Sequence, residues 1–131
     1  MDPFMPSNLV GTTHAESFTV QPRDSAKAHG SGLVDVLSTP ALVAYMEQAA
    51  LHTLEPHLPD THTSVGTRIV LDHTGAARMG ECFSCEVEID RIEGRKVVFS
   101  IRASTDEKEL GLAEHTRVIV DRARFMARVL E

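Results

Sequence analysis

With 131 residues and 42% hydrophobic content, the chain is long enough for one domain with a single core and too short for two. Its net charge of −6 opposes nucleic acid as a partner, because phosphate binding normally needs a basic surface. No stretch approaches the roughly 20 apolar residues that span a bilayer, so no membrane partner and a cytoplasmic location are expected. Only Arg23 and Lys27 are basic in the first fifty residues, while the other eleven Lys and Arg follow, which leaves room for one smaller anionic ligand. In chain order, Met1-Asp2-Pro3-Phe4 precede a second methionine, Met5, and residues 1–9 read as a leader or disordered N-terminus to a domain spanning 10–131. Residues 17–21 form a candidate strand, followed over 22–38 by a Ser-, Gly- and Asp-rich loop with room for one short helix. Thr39 then suits an N-cap and Pro40 the first helical position, opening a helix to about Leu54. Leu42, Val43, Met46, Ala50 and Leu54 fall on one apolar stripe, and Pro56 and Pro59 stop the helix.

Beyond this helix the hydrophobic period changes to two, predicting four strands. The first covers 63–71 and the second 82–92, where Phe83, Cys85, Val87 and Ile89 alternate with polar residues. Glu93-Gly94 is a tight connection to the third, with Val97, Phe99, Ile101 and Ala103 inward; 105–109 turns the chain into the fourth, 110–120. Three short connections favour an antiparallel meander. One greasy helix and one sheet with a greasy face predict an α+β fold in which a curved sheet wraps the helix, the hot-dog architecture. Such a sheet exposes an edge, which pairing in a homodimer satisfies.

Cys82 and Cys85 spell Cys-x-x-Cys, but residues three apart on a strand face opposite ways. Two reduced thiols are expected, with no metal or redox centre. His52, His57 and His62 recur every five residues, a spacing that neither helix nor strand places on one face, so they read as surface residues and not metal ligands. Glu47, four residues after Val43 and three before Ala50, lies at the border of the buried stripe. A partly desolvated carboxylate there is a candidate base, although the position equally suits a rim residue reaching water. His73 can shuttle a proton near neutral pH, while a lone histidine at a strand end is more often simply exposed.

The order of motifs is more specific than any one of them. The chain resembles the fluoroacetyl-CoA thioesterase-like branch of the hot-dog superfamily through Ser38-Thr39-Pro40-Ala41-Leu42-Val43-Ala44-Tyr45-Met46-Glu47-Gln48-Ala49-Ala50, then Ser64-Val65-Gly66-Thr67, His73, Gly94-Arg95, and His115 with Arg117. The resemblance implies acyl-CoA hydrolysis without a cofactor, with Thr39, Glu47 and His73 matching the catalytic threonine, glutamate and histidine. It implies that Gly66 lies beside the thioester and that Gly66, Thr67 and Arg117 are substrate-binding positions. A homodimer is implied too, with a dimer of dimers as an extension. The chain departs from the pattern in three places. Thr74-Gly75-Ala76-Ala77-Arg78-Met79 lacks a proline, Thr116 replaces a glutamate, and residues 22–38 hold no Phe, Tyr or Trp to shape a lid over a tiny acyl group. Selectivity for fluoroacetate is therefore not carried over.

In the expected reaction, Glu47, as base or nucleophile, and His73 activate water, Thr39 positions the substrate or attacking group, and N–H groups near Gly66 stabilise the oxyanion. On one straight helix Thr39 and Glu47 would lie about 12 Å apart. Either two subunits build the site, or Thr39 lies where the chain bends into the helix. Arg95, Lys96, Arg117, Arg122, Arg124 and Arg128 are available for coenzyme A phosphates, though basic side chains on strand faces are usually just solvated. The rival readings are a hot-dog enoyl-CoA hydratase or dehydratase and a noncatalytic acyl-CoA sensor.

Overall fold

The computed structural model describes residues 7–131, so most of the expected leader lies outside the described residues. Ser7–Leu9 forms one 3-10 turn whose Leu9 packs against the core. Strand β1, Thr13–Thr19, starts four residues earlier than its apolar content suggests, because its exposed face is polar and alternation there is the signal. The connecting segment contains a 3-10 turn at Pro22–Asp24 and a short helix α1, Ala26–His29. The long helix α2 is Thr39–Leu54.

The strands β2 (His62–His73), β3 (Cys82–Glu93), β4 (Lys96–Ser104) and β5 (Glu109–Asp121) complete one antiparallel sheet, ordered β1-β3-β4-β5-β2. The expected meander therefore holds for β3, β4 and β5 only. Strand β2 pairs with β5, not β3, and residues 74–81 carry the chain across the sheet. That segment is long enough for a crossover, and its small residues let it pass close to the fold. The β3–β4 turn uses Gly94 at φ 62°, the left-handed region that glycine tolerates. A terminal helix, α3 (Arg122–Val129), follows β5 directly; its mixture of arginines and apolar residues gives no strand or buried-helix period.

The sheet wraps α2, as the hot-dog fold requires. Leu42, Met46, Ala49, Ala50 and Leu54 are buried against Phe83, Cys85, Val87 and Ile89 of β3, and Val97, Phe99, Ile101 and Ala103 of β4. Ala49 replaces half-buried Val43 in the centre of the stripe. Removing this apolar surface from water is the main drive for the assembly, at about 25 cal/mol per Å². Phe18, Tyr45 and Phe83 cluster at one end, with ring centroids 4.7 to 5.6 Å apart. The thiols are unpaired and face opposite ways, Cys82 exposed and Cys85 buried, and burial first, then Glu16, pushes the Cys85 thiol up to about 12. His62 corrects the surface reading: it is buried at the start of β2, with Nδ1 2.8 Å from the Thr61 hydroxyl. Exposed His52 contacts Glu16 at 2.8 Å, and no grouping suited to a metal ion exists among the described residues.

Candidate active site

The start of α2 decides what Thr39 can do. Ser38, not Thr39, is the N-cap, and its hydroxyl oxygen accepts the Ala41 N–H at 3.1 Å. Both residues suit a cap, so type alone does not choose between them. Released from capping, the exposed Thr39 hydroxyl lies 2.8 Å from Nδ1 of His73 at the end of β2. Burial holds the His73 imidazole below its usual range, while a hydrogen bond with the Gly75 backbone works the other way. In the tautomer with its proton on Nε2, Nδ1 accepts the threonine proton. The chain beyond is pinned because Thr74 and Gly75 N–H groups both donate to the Leu110 carbonyl, at 2.8 and 3.0 Å. A pocket of about 280 Å³ opens here, lined by Val36, Leu37 and residues 73–76.

Glu47 belongs to a second cluster, two turns along α2. Its half-buried carboxylate lies over Gly66, where an added Cβ would approach Oε2 to 2.6 Å. Nη1 of Arg117 is 3.8 Å from the same oxygen. Arg117 is buried at 6% exposure. Its Nε donates to the Ser64 hydroxyl at 2.7 Å, Nη2 to the Ser64 carbonyl at 2.9 Å, and Nη1 lies 3.2 Å from Nε2 of buried His115. Burial lowers the Arg117 pKa, opposed by Glu47 and Glu55, yet a guanidinium stays protonated in proteins. The β2–β5 register shifts between Gly66 and Arg68, and exposed Thr67, at that irregularity, reaches the Thr116 carbonyl at 3.4 Å.

The structure thus joins Thr39 to His73 and Glu47 to Gly66 and Arg117, but not the two groups to each other. Eight residues of helix separate Thr39 from Glu47, about 12 Å of rise. Thr39 is the first residue of the helix itself, so no bend closes the gap. Ser64 and His115, which carry the resemblance without an assigned role, are the supports beneath Glu47. Arg95, Lys96, Arg122, Arg124 and Arg128 are exposed. A larger concavity, about 1140 Å³, is elsewhere, on the sheet face turned away from α2 among Val70, Glu86, Arg102 and Leu112. It contains none of the candidate catalytic groups.

A hydroxyl–imidazole pair and a carboxylate beside a buried guanidinium, carried on a hot-dog fold, are groups that acyl-transfer chemistry can use. The family model for the fluoroacetyl-CoA-specific thioesterase FlK matches residues 20–123. The chain belongs to that family. The fluoroacetyl-CoA thioesterase of Streptantibioticus cattleyicolor is 26% identical over 126 residues, covering 92% of this chain and 91% of its own. A solved structure of the fluoroacetyl-CoA thioesterase FlK superposes with a TM-score of 0.86 at 26% identity, covering 92% of this chain and 93% of that one. A variant of FlK in complex with fluoroacetate and CoA gives 0.83 at 25% identity, covering 88% and 98%. A hot-dog-like protein from Thermanaerovibrio acidaminovorans gives 0.86 at 29% identity, covering 99% and 96%.

Proposed function

We propose that the protein hydrolyses the thioester of a small acyl-coenzyme A to free acid and coenzyme A, as a homodimer with each site shared between subunits. The observation that carries this reading is the pairing of Thr39 with His73 and of Glu47 with Gly66 and Arg117, two complementary halves at different places on one chain. The leaving thiol, with a pKa of roughly 8 to 9, needs little protonation to depart, so attack on the carbonyl is the step that requires help. Glu47 takes a proton from water as the water's oxygen attacks. N–H groups around the irregularity at Gly66 receive the oxyanion, and the thiolate leaves as the carbonyl re-forms. Thr39, held by His73, positions the acyl group or the attacking water.

Among the described residues, strand β2 is an unpaired edge, and it carries both Gly66 and His73. Antiparallel pairing of two such edges about a dyad between Ile69 and Val70 would set each His73 level with the partner's Gly66 and bring the halves together. Hydration of an enoyl-CoA and noncatalytic sensing are not favoured, because family membership makes the chain a thioesterase.

Thiol release from short, medium, aromatic and halogenated acyl-CoAs tests the chemistry, with Glu47→Gln expected to lower kcat by about 100-fold or more. Retained turnover in that variant would remove Glu47 from the mechanism. Complementation tests the shared site. If Glu47→Gln and His73→Asn each make inactive dimers, their mixture should regain about a quarter of wild-type activity, since half the dimers are mixed and each mixed dimer has one intact site. No recovery on verified subunit exchange would place each site within one chain.

A further inference from the structure

His115 takes no part in the chemistry above, yet it lies directly beneath it. The ring is 1% exposed and stacks on Phe99, with centroids 6.0 Å apart and planes inclined by 27°. Its Nδ1 is 2.8 Å from the Arg68 carbonyl oxygen, which can only accept, so Nδ1 carries a hydrogen. Its Nε2 is 3.2 Å from Nη1 of Arg117, which can only donate, so Nε2 presents a lone pair. A single protonation state, the neutral ring with hydrogen on Nδ1, satisfies both neighbours. Arg68 is also where the β2 register resumes beyond Gly66, so the ring links the position of that irregularity to the direction of Nη1.

The geometry points to His115 as a positioning residue for thioester hydrolysis: its neutral Nδ1–H form fixes the Arg117 guanidinium so that Nη1 faces the Glu47 carboxylate above Gly66. This rests on the reading of Glu47 as the base. Ser64 holds the guanidinium at Nε and Nη2, and His115 is the acceptor that holds the remaining arm. The groups facing the imidazole are Arg117 on its own strand, Glu47 from α2, the Arg68 carbonyl from β2 and uncharged Phe99 from β4; Glu55 acts further off, through Arg117. Burial favours the neutral ring, with the Arg117 charge adding to that effect against the Arg68 carbonyl and Glu47. Protonation would place an N–H against the Arg117 donor and turn Nη1 away from the carboxylate.

Two substitutions separate the ring's nitrogens. His115→Asn keeps a donor near the Nδ1 position and removes the Nε2 acceptor, whereas His115→Gln can present an acceptor near Nε2. Both are assayed by thiol release across pH, beside wild type and Glu47→Gln. The expected result for His115→Asn is a roughly 10-fold lower kcat with KM within about twofold, because the Glu47 carboxylate loses an oriented neighbour needed only in the chemical step. His115→Gln should recover most of kcat. An unchanged kcat in His115→Asn, or activity lost only in proportion to unfolded protein, would overturn the proposal. Long-range 15N–1H NMR on the unaltered protein tests it without any variant: Nδ1–H at neutral pH is expected, and Nε2–H or an imidazolium would refute it. Turnover retained in Glu47→Gln would instead remove the base on which the proposal rests. Glu47→Gln inactive beside an unaffected His115→Asn would remove the positioning role alone.

Discussion

Gly66→Ala tests the site with one added methyl group. The new Cβ would lie 2.6 Å from Oε2 of Glu47, 3.2 Å from Cε1 of His115 and 3.4 Å from Nη1 of Arg117. Restoring an ordinary contact of 3.4 Å requires the carboxylate oxygen to retreat by about 0.8 Å. It can do so, being the far end of a half-buried, flexible side chain, and Gly66 has no positive φ that alanine would strain. The cost to stability is therefore about 0.5 to 1.5 kcal/mol, that of a displaced rotamer. The cost to catalysis is larger, because a misplacement of about 1 Å can lower rate by 100-fold. Thiol release at saturating acyl-CoA should show kcat reduced by about 30- to 100-fold, with a thermal midpoint within a few degrees of wild type. Gly75→Ala is the contrasting control, since its methyl group would run into the Glu109 carbonyl, a backbone atom that cannot swing aside. A Gly66→Ala enzyme with near wild-type kcat, or one that melts as early as Gly75→Ala, would refute the reasoning.

Ser38→Ala should cost about 1 kcal/mol through the lost cap and leave kcat of the folded fraction nearly unchanged. Thr39→Ala should do the reverse, with turnover falling and the melting temperature held; melts and thiol release on both variants check the assignment. Tyr45→Phe removes a 2.5 Å hydrogen bond to the buried Asp24 carboxylate, and denaturant titration should register a loss of about 1 to 3 kcal/mol. Stability should also depend on pH. The imidazoles of His73 and His115 are held below the usual 6.5 in the folded state, so the unfolded chain binds more protons between 6.5 and the folded values. Their contribution is complete above 6.5 and is lost as pH falls through that window. Urea midpoints should be lower at about pH 5.5 than at about pH 7.5, and an equal or higher midpoint in acid would contradict the shifts.

The long helix and the inward faces of β3 and β4 were legible because one-sided burial writes its period into the chain. The place of β2 was not. Its residues announce a strand, but the choice between β3 and β5 as neighbour depends on how residues 74–81 cross the fold, which no local pattern records. Strand β1 was only half visible, because Thr13, Ala15 and Ser17 mark an exposed face without an apolar counterpart stronger than Phe18. At the site, Glu47's position at the edge of the buried stripe followed from helical spacing. The pairing of Thr39 with His73 did not, since it depends on Ser38 taking the cap. The burial of Arg117 was hidden for a general reason: an arginine on a strand is usually solvated, and only β2–β5 registry puts Gly66 opposite it and Ser64 within reach.

That buried arginine bears on why the site is built as it is. Enclosing a guanidinium is expensive, and an apolar residue of similar volume is often neutral or stabilising by about 1 to 4 kcal/mol. Here every buried side-chain polar atom among the described residues has a partner, so Arg117 is tolerated, but stability alone gives little reason to keep it. Its distance from Glu47 is informative. A tight charge-assisted pair closes to about 2.7 to 2.9 Å and often uses both carboxylate oxygens. At 3.8 Å and through one nitrogen, Arg117 supplies field and direction while leaving the carboxylate's lone pairs open. Ser64 and His115 hold the guanidinium in that intermediate position, close enough to orient the Glu47 carboxylate and too far to lock it.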